Sequence, residues 1–397
     1  MKSFEKQALP WEVFGVGVSK EIGERLKARE IGKCLIVTDK GIVNIGIIDP
    51  IAEDLKVHGI DYIIYDKCIP NCPDYIVLEI GNLVKSEKVD AILAVGGGSS
   101  MDAARGGAMV AGIPEEITDL HEYGGADSKM KAYYKPACQV ITVATTHATG
   151  AEASRSSVVF DTKRKIKYSF LSPNMTPDLA FTDPALTAGM PARPTAVTGL
   201  DAMAHPMENL IGPDSSSFSD PIYLSCVERV WQWLPIAVAE PDNLEARSQL
   251  CWAAIQGNTN GGTPPGHAIA HAIGARYELV HGHACAVVEP TLIRHHAKTR
   301  PEVIKALAQI MGVPTTEDEV TIANRVADKM VQFYKGLGLC SLKEALREKG
   351  IEDDRETVID NLMEPVLDDG KSRVWNPPIH EDKEVLRHVL GMIYDEK

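Results

Sequence analysis

Four residues in the second half of the chain have the types and the spacing of a metal centre. Asp201 and His205 are four residues apart, so on one helix they lie on the same face, one above the other. His267 falls in a second helical pattern, and His281 on the turn that follows it. Three imidazoles and one carboxylate suit a divalent transition metal, above all iron(II) or zinc, and both ions accept a fifth, exogenous oxygen ligand. Ordinary helix histidines are the alternative, but a glycine turn upstream favours a metal site.

That glycine turn, in the first half of the chain, has the features of a phosphate-binding loop. Gly97 and Gly98 follow a hydrophobic strand at Ala91 to Val95, and Ser99 and Asp102 open the next helix. Glycines let the backbone approach a pyrophosphate closely, and a helix N-terminus offers free N–H groups and partial positive charge. The turn lacks the G-x-G-x-x-G pattern of the Rossmann fold, so that fold is not predicted. A tight strand-to-helix turn without a ligand would use the same glycines.

Other polar residues follow neighbouring strands and are predicted to contact the same nucleotide. Asp39 ends an earlier strand, where its carboxylate can accept hydrogen bonds from an adenosine ribose and would repel a 2′-phosphate, which favours NAD over NADP. A plain turn or helix-cap aspartate is the alternative. Thr145, Thr146 and Thr149 lie where another strand opens into a loop and can add hydroxyl contacts. Lys167 can reach a ribose, although a solvated lysine is the commoner fate.

Two kinds of element must position these residues. The first half alternates short β-rich runs with helical patterns, which predicts a mainly parallel sheet covered on both faces, with ligands at the carboxyl ends of its strands. After about Pro184, apolar residues recur at helical spacing in one segment after another. We therefore predict an α/β nucleotide-binding domain over residues 1–184 and an all-helical, metal-binding domain over residues 185–397.

The composition excludes several classes of protein. The chain has 397 residues and a formal net charge of −14, which argues against nucleic acid or an anionic membrane as a partner. No apolar run reaches the roughly 18 to 20 residues of a membrane helix, and the N-terminus does not resemble a signal peptide. The eight cysteines are scattered, and Cys68 and Cys72, which form the close pair, are interpreted as reduced thiols. A cytoplasmic homo-oligomer, with a dimer as the commonest state, is expected.

Together these motifs resemble the iron-containing (group III) alcohol dehydrogenase family, and the resemblance runs through nearly the whole chain. It is carried by VTDKG at Val37 to Gly41, GGGSSMDAARG at Gly96 to Gly106, TTHATGAEAS at Thr145 to Ser154, GLDAMAHPMEN from Gly199, and the segment HAIAH…HGHA from His267. The resemblance implies a dehydroquinate synthase-like architecture, with an α/β nucleotide-binding domain, a helical domain and an active site in the cleft between them.

The resemblance also implies roles for particular residues. Asp201, His205, His267 and His281 match the family's metal ligands, which implies iron(II), with zinc or another divalent metal also compatible. His271, one turn after His267, matches a non-ligand histidine near the nicotinamide and can relay the proton of the alcohol. NAD(H) is the implied cofactor.

The chain departs from the family pattern at several positions. The threonine loop usually reads TTAGTGSE, and a lysine is commoner at the position of Arg105; the segment before the first C-terminal ligand is usually aliphatic and glycine-rich. This chain differs there at His147, Ala148, Ala151, Thr263, Pro264 and Pro265, and carries Asn258 and Asn260 where a bulky apolar residue is usual. His147 is expected either to crowd the phosphates or to add a cation beside them. Arg155, with Asn258 and Asn260, can favour a small polar or anionic aldehyde, although Arg155 also suits a surface or domain interface.

These observations predict a metal-dependent, NAD(H)-linked alcohol dehydrogenase or aldehyde reductase acting on a small primary alcohol or aldehyde. A carboxylated, sulfonated or hydroxylated substrate and a short aliphatic alcohol or diol fit equally well. Within the fold, the alternatives are a zinc-dependent polyol dehydrogenase of the glycerol type, a lyase-like relative such as dehydroquinate synthase, and a hydroxyacid–oxoacid transhydrogenase. An alternative of another class is a non-catalytic protein that binds metal and nucleotide.

Overall fold

The computed structural model of the protein describes residues 9–124, 128–212, 215–258, 265–371 and 382–396. The chain divides into two compact units, an N-terminal unit up to Gly189 and a C-terminal unit from Met190 onward. Among the residues predicted to be functional, Asn260 lies outside the described part, as do Thr263 and Pro264.

The N-terminal unit is built on a six-stranded parallel sheet with the strand order β1-β8-β5-β4-β2-β3. A separate antiparallel hairpin joins β6 to β7. The predicted, mainly parallel sheet is therefore confirmed. In chain order the strands are β1 (Trp11–Phe14), β2 (Lys33–Val37), β3 (Asp61–Tyr65), β4 (Ala91–Gly96), β5 (Gln139–Ala144), β6 (Ser156–Asp161), β7 (Ile166–Leu171) and β8 (Leu179–Thr182).

Helices cover both faces of this sheet. They are α1 (Ile22–Ala28), α2 (Lys40–Asn44), α3 (Ile48–Val57), α4 (Asp74–Glu87) and α5 (Gly98–Gly112). Alternate residues of β2 pack into two different cores: Leu35 and Val37 into one, and Cys34 and Ile36 into the other. A strand buried on both faces needs an unbroken apolar run, which is why these strands are conspicuous in the sequence.

The C-terminal unit is helical throughout its described residues, which confirms the prediction for this half of the chain. Its helices are α6 (Ala192–Ile211), α7 (Asp220–Ala239), α8 (Leu244–Gly257), α9 (Pro265–Tyr277), α10 (His281–His295), α11 (Pro301–Ile310), α12 (Glu319–Gly336), α13 (Leu342–Glu348), α14 (Arg355–Lys371) and α15 (Lys383–Asp395). One continuous apolar core joins residues from all the helices of this unit. None of the helices in the described ranges has the length and apolar character needed to cross a membrane.

One close contact between helices α6 and α10 positions a predicted metal ligand. A Cβ atom on Gly282 would lie only 1.8 Å from the backbone oxygen of Val197, so only glycine allows the start of α10 to approach α6 this closely. His281 precedes Gly282 and is the first residue of α10, not part of the preceding turn as the sequence pattern predicts. Glycine at this position therefore brings His281 against the helix that carries Asp201.

Candidate metal centre and nucleotide-binding loops

The predicted metal ligands of the C-terminal unit gather around one carboxylate oxygen. Asp201 on α6 is 3% exposed. Its Oδ1 atom lies 3.4 Å from Nε2 of His267, 3.5 Å from Nε2 of His281 and 3.6 Å from Nδ1 of His205. Three helices, α6, α9 and α10, thus bring four residues from three separate segments of the chain close to one carboxylate oxygen.

The structure adds Cys285, which the sequence reasoning missed. Its Sγ atom lies 3.7 Å from Oδ1 of Asp201, 3.7 Å from Nε2 of His281 and 3.9 Å from Nε2 of His267. These four residues offer donor atoms that all lie within 4.8 Å of one another. A signal was present in the sequence, because Cys285 follows His281 by four residues and therefore shares its helix face, as His205 shares that of Asp201.

His205 lies beside this donor set and faces its own helix backbone. Its Nδ1 atom is 3.0 Å from the carbonyl oxygen of Asp201, and its ring centroid is 4.0 Å from that of His267. Burial, together with the nearby His267, lowers the pKa of His205 to about 4. A neutral imidazole is the form that binds a metal, so His205 is in the required state at neutral pH.

The ionisable groups of the donor set shift one another's pKa values strongly. Burial would raise the pKa of Asp201, but the imidazoles of His281, His205 and His267 outweigh burial and hold the pKa well below its usual range. Burial would lower the pKa of His267, but Glu208 and the other acceptors around the ring raise it well above its usual range. Burial raises the pKa of the Cys285 thiol to about 12. An ionised carboxylate among nitrogen and sulfur donors fits the chemistry of a divalent transition metal.

A buried carboxylate behind His267 fixes the orientation of that ring. Glu208 accepts hydrogen bonds from the backbone N–H of His267, at 3.1 Å, and from its Nδ1 atom. Because Nδ1 carries the proton that Glu208 accepts, Nε2 is the nitrogen turned toward Asp201. Glu289 lies beside Glu208, and burial with that neighbouring charge raises the pKa of Glu289 well above its usual range. Sequence reasoning missed Glu208, although it lies on α6 only one turn after His205.

His271 adjoins the donor set without belonging to it. It lies one turn after His267 on α9 and is 5% exposed. Its ring stacks on that of His281, with the centroids 5.1 Å apart and the planes inclined by 29°. This position, next to the proposed ligands and nearly buried, suits a residue that exchanges a proton with a substrate there.

In the N-terminal unit, the glycine turn and the threonine loop lie against each other. They follow β4 and β5, which are adjacent parallel strands and therefore end at the same edge of the sheet. A Cβ atom on Gly97 would lie 3.3 Å from Oγ1 of Thr146, and one on Gly98 would lie 3.4 Å from Oγ1 of Thr149. The structure thus brings together the residues predicted to hold the phosphates, at the N-terminus of α5.

Asp39 adjoins the same turn and also caps a helix. Its Oδ1 atom accepts a hydrogen bond from the backbone N–H of Ile42 at 3.1 Å, as the N-cap of α2. Its Oδ2 atom is directed toward the glycine turn, 3.8 Å from the place where a Cβ of Gly96 would lie. Thr145 is buried, and its backbone N–H donates to the carbonyl of Gly96 at 3.0 Å. Asp39 can therefore cap α2 and accept a ligand hydrogen bond at the same time.

The remaining predicted nucleotide residues, and His147 of the threonine loop, are partly or fully buried in the N-terminal unit. Ser99 is half-buried in the first turn of α5. Asp102 accepts a hydrogen bond from Arg105 at 2.7 Å, and its pKa is raised by burial although the charges of Arg105 and Lys167 lower it. Lys167 is buried in β7, close enough to Asp102 to influence it, and is not a solvated lysine. His147 is fully buried, so its ring is turned into the protein.

The two residues predicted to read the substrate belong to different units. Arg155 immediately precedes β6 in the N-terminal unit and is partly buried. Asn258 follows α8 in the C-terminal unit as its C-cap residue, next to Gly257, whose carbonyl accepts a hydrogen bond from Asn209 of α6 at 3.1 Å. The residue that precedes Asn258 is therefore hydrogen-bonded to the helix that carries Asp201.

Comparison with known proteins agrees with this arrangement. Residues 11–184 match the family described as Iron-containing alcohol dehydrogenase, and residues 195–385 match Fe-containing alcohol dehydrogenase family, C-terminal. The NAD-dependent methanol dehydrogenase of Bacillus methanolicus is 30% identical, over 92% of this chain and 94% of its own. The lactaldehyde reductase of Escherichia coli K12 is 28% identical, over 90% of this chain and 91% of its own. The alcohol dehydrogenase from Oenococcus oeni superposes with a TM-score of 0.87 at 28% identity, covering 99% of this chain and 100% of its own.

The chain therefore belongs to the iron-containing alcohol dehydrogenase family. It is an NAD-linked oxidoreductase of that family that interconverts alcohols and aldehydes.

The contact between Glu208 and His267 predicts an effect on metal affinity. Glu208→Gln keeps the size of the side chain but removes the charge that stabilises a metal-bound imidazole. We expect zinc to bind this variant roughly 10- to 100-fold more weakly, measured by titrating metal-free protein against a competing chelator. Glu364→Gln, an exposed change on α14 of the same unit, is the matched control and should bind zinc like the unchanged protein. Equal affinities in the two variants would remove the role of Glu208.

Proposed function

We propose that this protein catalyses the reversible, metal-dependent oxidation of a small primary alcohol to an aldehyde with NAD(H). The observation that carries the proposal is the convergence of His205, His267 and His281 on the Asp201 carboxylate inside the helical unit. The donor set fits a divalent transition metal, and Asp201, His205, His267 and His281 would hold it. We propose iron(II) as that metal, with zinc as the ion that the donors also suit.

The residues of the chain then have distinct tasks. The bound metal supplies a Lewis acid that polarises the substrate oxygen. NAD(H) supplies or accepts the hydride. His271 exchanges the proton of the substrate oxygen, since its ring lies against His281 and is nearly excluded from water. Asp201 acts as a ligand and not as a base, because its Oδ1 atom faces the donors.

The nucleotide is assigned to the carboxyl end of the parallel sheet. Gly97, Gly98 and Ser99 would present backbone N–H groups to the pyrophosphate at the start of α5. Thr145, Thr146 and Thr149 line the adjoining loop, and Asp39 would accept hydrogen bonds from the adenosine ribose. Asp102 accepts a hydrogen bond from Arg105, and Lys167 is close enough to lower the pKa of Asp102. We therefore assign both residues an indirect role, in which they stabilise the loop and do not contact the nucleotide as the sequence predicts.

The proposed substrate is a short alcohol or aldehyde. Two of the relatives are named for methanol and lactaldehyde, which are both small and uncharged, and another, which is 32% identical, is named for choline. Arg155 and Asn258 stay predicted substrate residues, and an anionic substrate stays a prediction with them. A cytoplasmic location and a homo-oligomeric state also remain predictions from the sequence.

Replacing one proposed ligand should separate metal binding from nucleotide binding. His267→Ala removes a donor on the line between Glu208 and Asp201 while leaving the N-terminal unit untouched. We expect it to lose bound metal and alcohol oxidation together and to bind NADH as the unchanged protein does, measured by metal analysis and nucleotide fluorescence. His388→Ala, an exposed change on α15, is the matched control. Full metal content in His267→Ala would show that the ligand set is wrong.

Asp39 offers a test of nucleotide choice that separates its two contacts. Asp39→Asn keeps an oxygen that can cap α2 but removes the negative charge, whereas Asp39→Gly removes both. Because the charge would repel a 2′-phosphate, both variants should raise kcat/KM for NADP relative to NAD. If the ratio of kcat/KM for NADP to that for NAD is unchanged in both variants, and thermal stability falls only in the glycine variant, then Asp39 acts only as a helix cap.

A further inference from the structure

We propose that Cys285 is itself a metal ligand, so that the centre of this protein contains sulfur beside nitrogen and oxygen. The inference rests on the metal centre proposed above and adds to it a donor that the four-residue motif does not contain. The geometry of the donor atoms, the burial of the thiol and its place on α10 each support this assignment.

Sγ of Cys285 and the donor atoms of Asp201, His267 and His281 are spaced like ligands that share one metal ion, and His205 would be a further ligand of that ion. Typical metal–oxygen and metal–nitrogen bonds place adjacent O and N donors about 3.4 Å apart, and a metal–sulfur bond places S about 3.6 Å from either. Oδ1 of Asp201 lies 3.4 and 3.5 Å from Nε2 of His267 and of His281. Sγ of Cys285 lies 3.7, 3.7 and 3.9 Å from the same three atoms. Five of the six separations among these four atoms are thus within a few tenths of an ångström of the values for tetrahedral bond angles, and the sixth, between the two imidazole nitrogens, is at most 4.8 Å.

The thiol is held at this point by the helix that carries His281. The two residues are four apart on α10, so their side chains lie on one face, and Gly282 keeps that face against α6. Cys285 is 1% exposed, so the sulfur faces the other donors and not the solvent.

A hydrogen bond without coordination is the competing role for this sulfur. The thiol can donate to Oδ1 of Asp201, with an S···O distance of 3.7 Å. The sulfur can also accept hydrogen bonds from Nε2 of His267 and of His281, but only while these nitrogens carry protons, which a bound metal would replace. Coordination accounts for all three distances at once.

A sulfur ligand has a chemical consequence for this centre. A metal-bound thiol is deprotonated, so Cys285 and Asp201 together would balance the charge of a divalent ion. Thiolate is a softer donor than imidazole or carboxylate, and it favours ions such as zinc and cobalt over those that prefer oxygen ligands. The centre of this chain is therefore expected to bind zinc and cobalt(II) tightly.

Cobalt(II) provides the direct test, because a thiolate bound to cobalt gives a charge-transfer absorption band in the near ultraviolet, whereas nitrogen and oxygen ligands do not. Metal-free protein is supplied anaerobically with one equivalent of cobalt(II), and its spectrum is recorded with its cobalt content. We expect this band in the unchanged protein and its complete loss in Cys285→Ser and in Cys285→Ala. Cys226→Ala, which removes another buried thiol of the same unit, is the matched control and should keep the band.

The outcomes distinguish this inference from the function on which it rests. Unchanged protein that holds one cobalt ion without the band, or a band that persists in both Cys285 variants, would overturn the sulfur ligand and leave the metal centre standing. Unchanged protein that takes up no cobalt or zinc would overturn the metal centre and the sulfur ligand together. Far-ultraviolet circular dichroism of each variant verifies that it is folded, and the serine variant provides the test if the alanine variant is not.

Discussion

The carboxylate of Asp201 lies inside the helical unit, and an ionised carboxylate in a protein interior is costly unless cations or strong donors surround it. Imidazoles from α6, α9 and α10 provide these surroundings, so the position of each helix depends on the others. Gly282 at the start of α10 allows His281 to lie close to Asp201, and the carboxylate of Glu208 holds the ring of His267 in place. Without a central cation, a proton on His267 offsets the nearby negative charges, and Glu208 above all raises the pKa of that imidazole well above its usual range.

In the N-terminal unit, the topology of the parallel sheet brings the predicted nucleotide-binding residues together. Parallel strands all end at one edge of the sheet, and this edge is where the loops after β4 and β5 meet. Glycines in one loop leave room for threonines from the other, and the first turn of α5 leaves N–H groups without partners in the helix. Asp39 comes to the same place from the end of β2, the strand beside β4. We propose that the nucleotide binds at this edge, where the topology brings these short polar segments together.

Much of this could be predicted from the sequence, because the signals are local. Continuous apolar runs predicted the strands β2, β4 and β5. A separation of four residues predicted that Asp201 and His205 lie on one face of a helix. The four-residue edge strand β1 was harder to identify, since its pairing with β8, far along the chain, is not encoded in any short pattern. Cys285 and Glu208 were missed for a related reason. Their importance comes from contacts across helices, and a cysteine or glutamate on a helix has many ordinary roles.

The most direct test of the account is the location of the metal itself. Crystals of protein reconstituted with zinc would give an anomalous difference map at the zinc absorption edge. We predict one peak per chain in contact with Oδ1 of Asp201 and with Nε2 of His267 and of His281. A fully zinc-loaded crystal with no peak among these atoms, or with its peak elsewhere in the chain, would contradict the metal centre and the proposed mechanism.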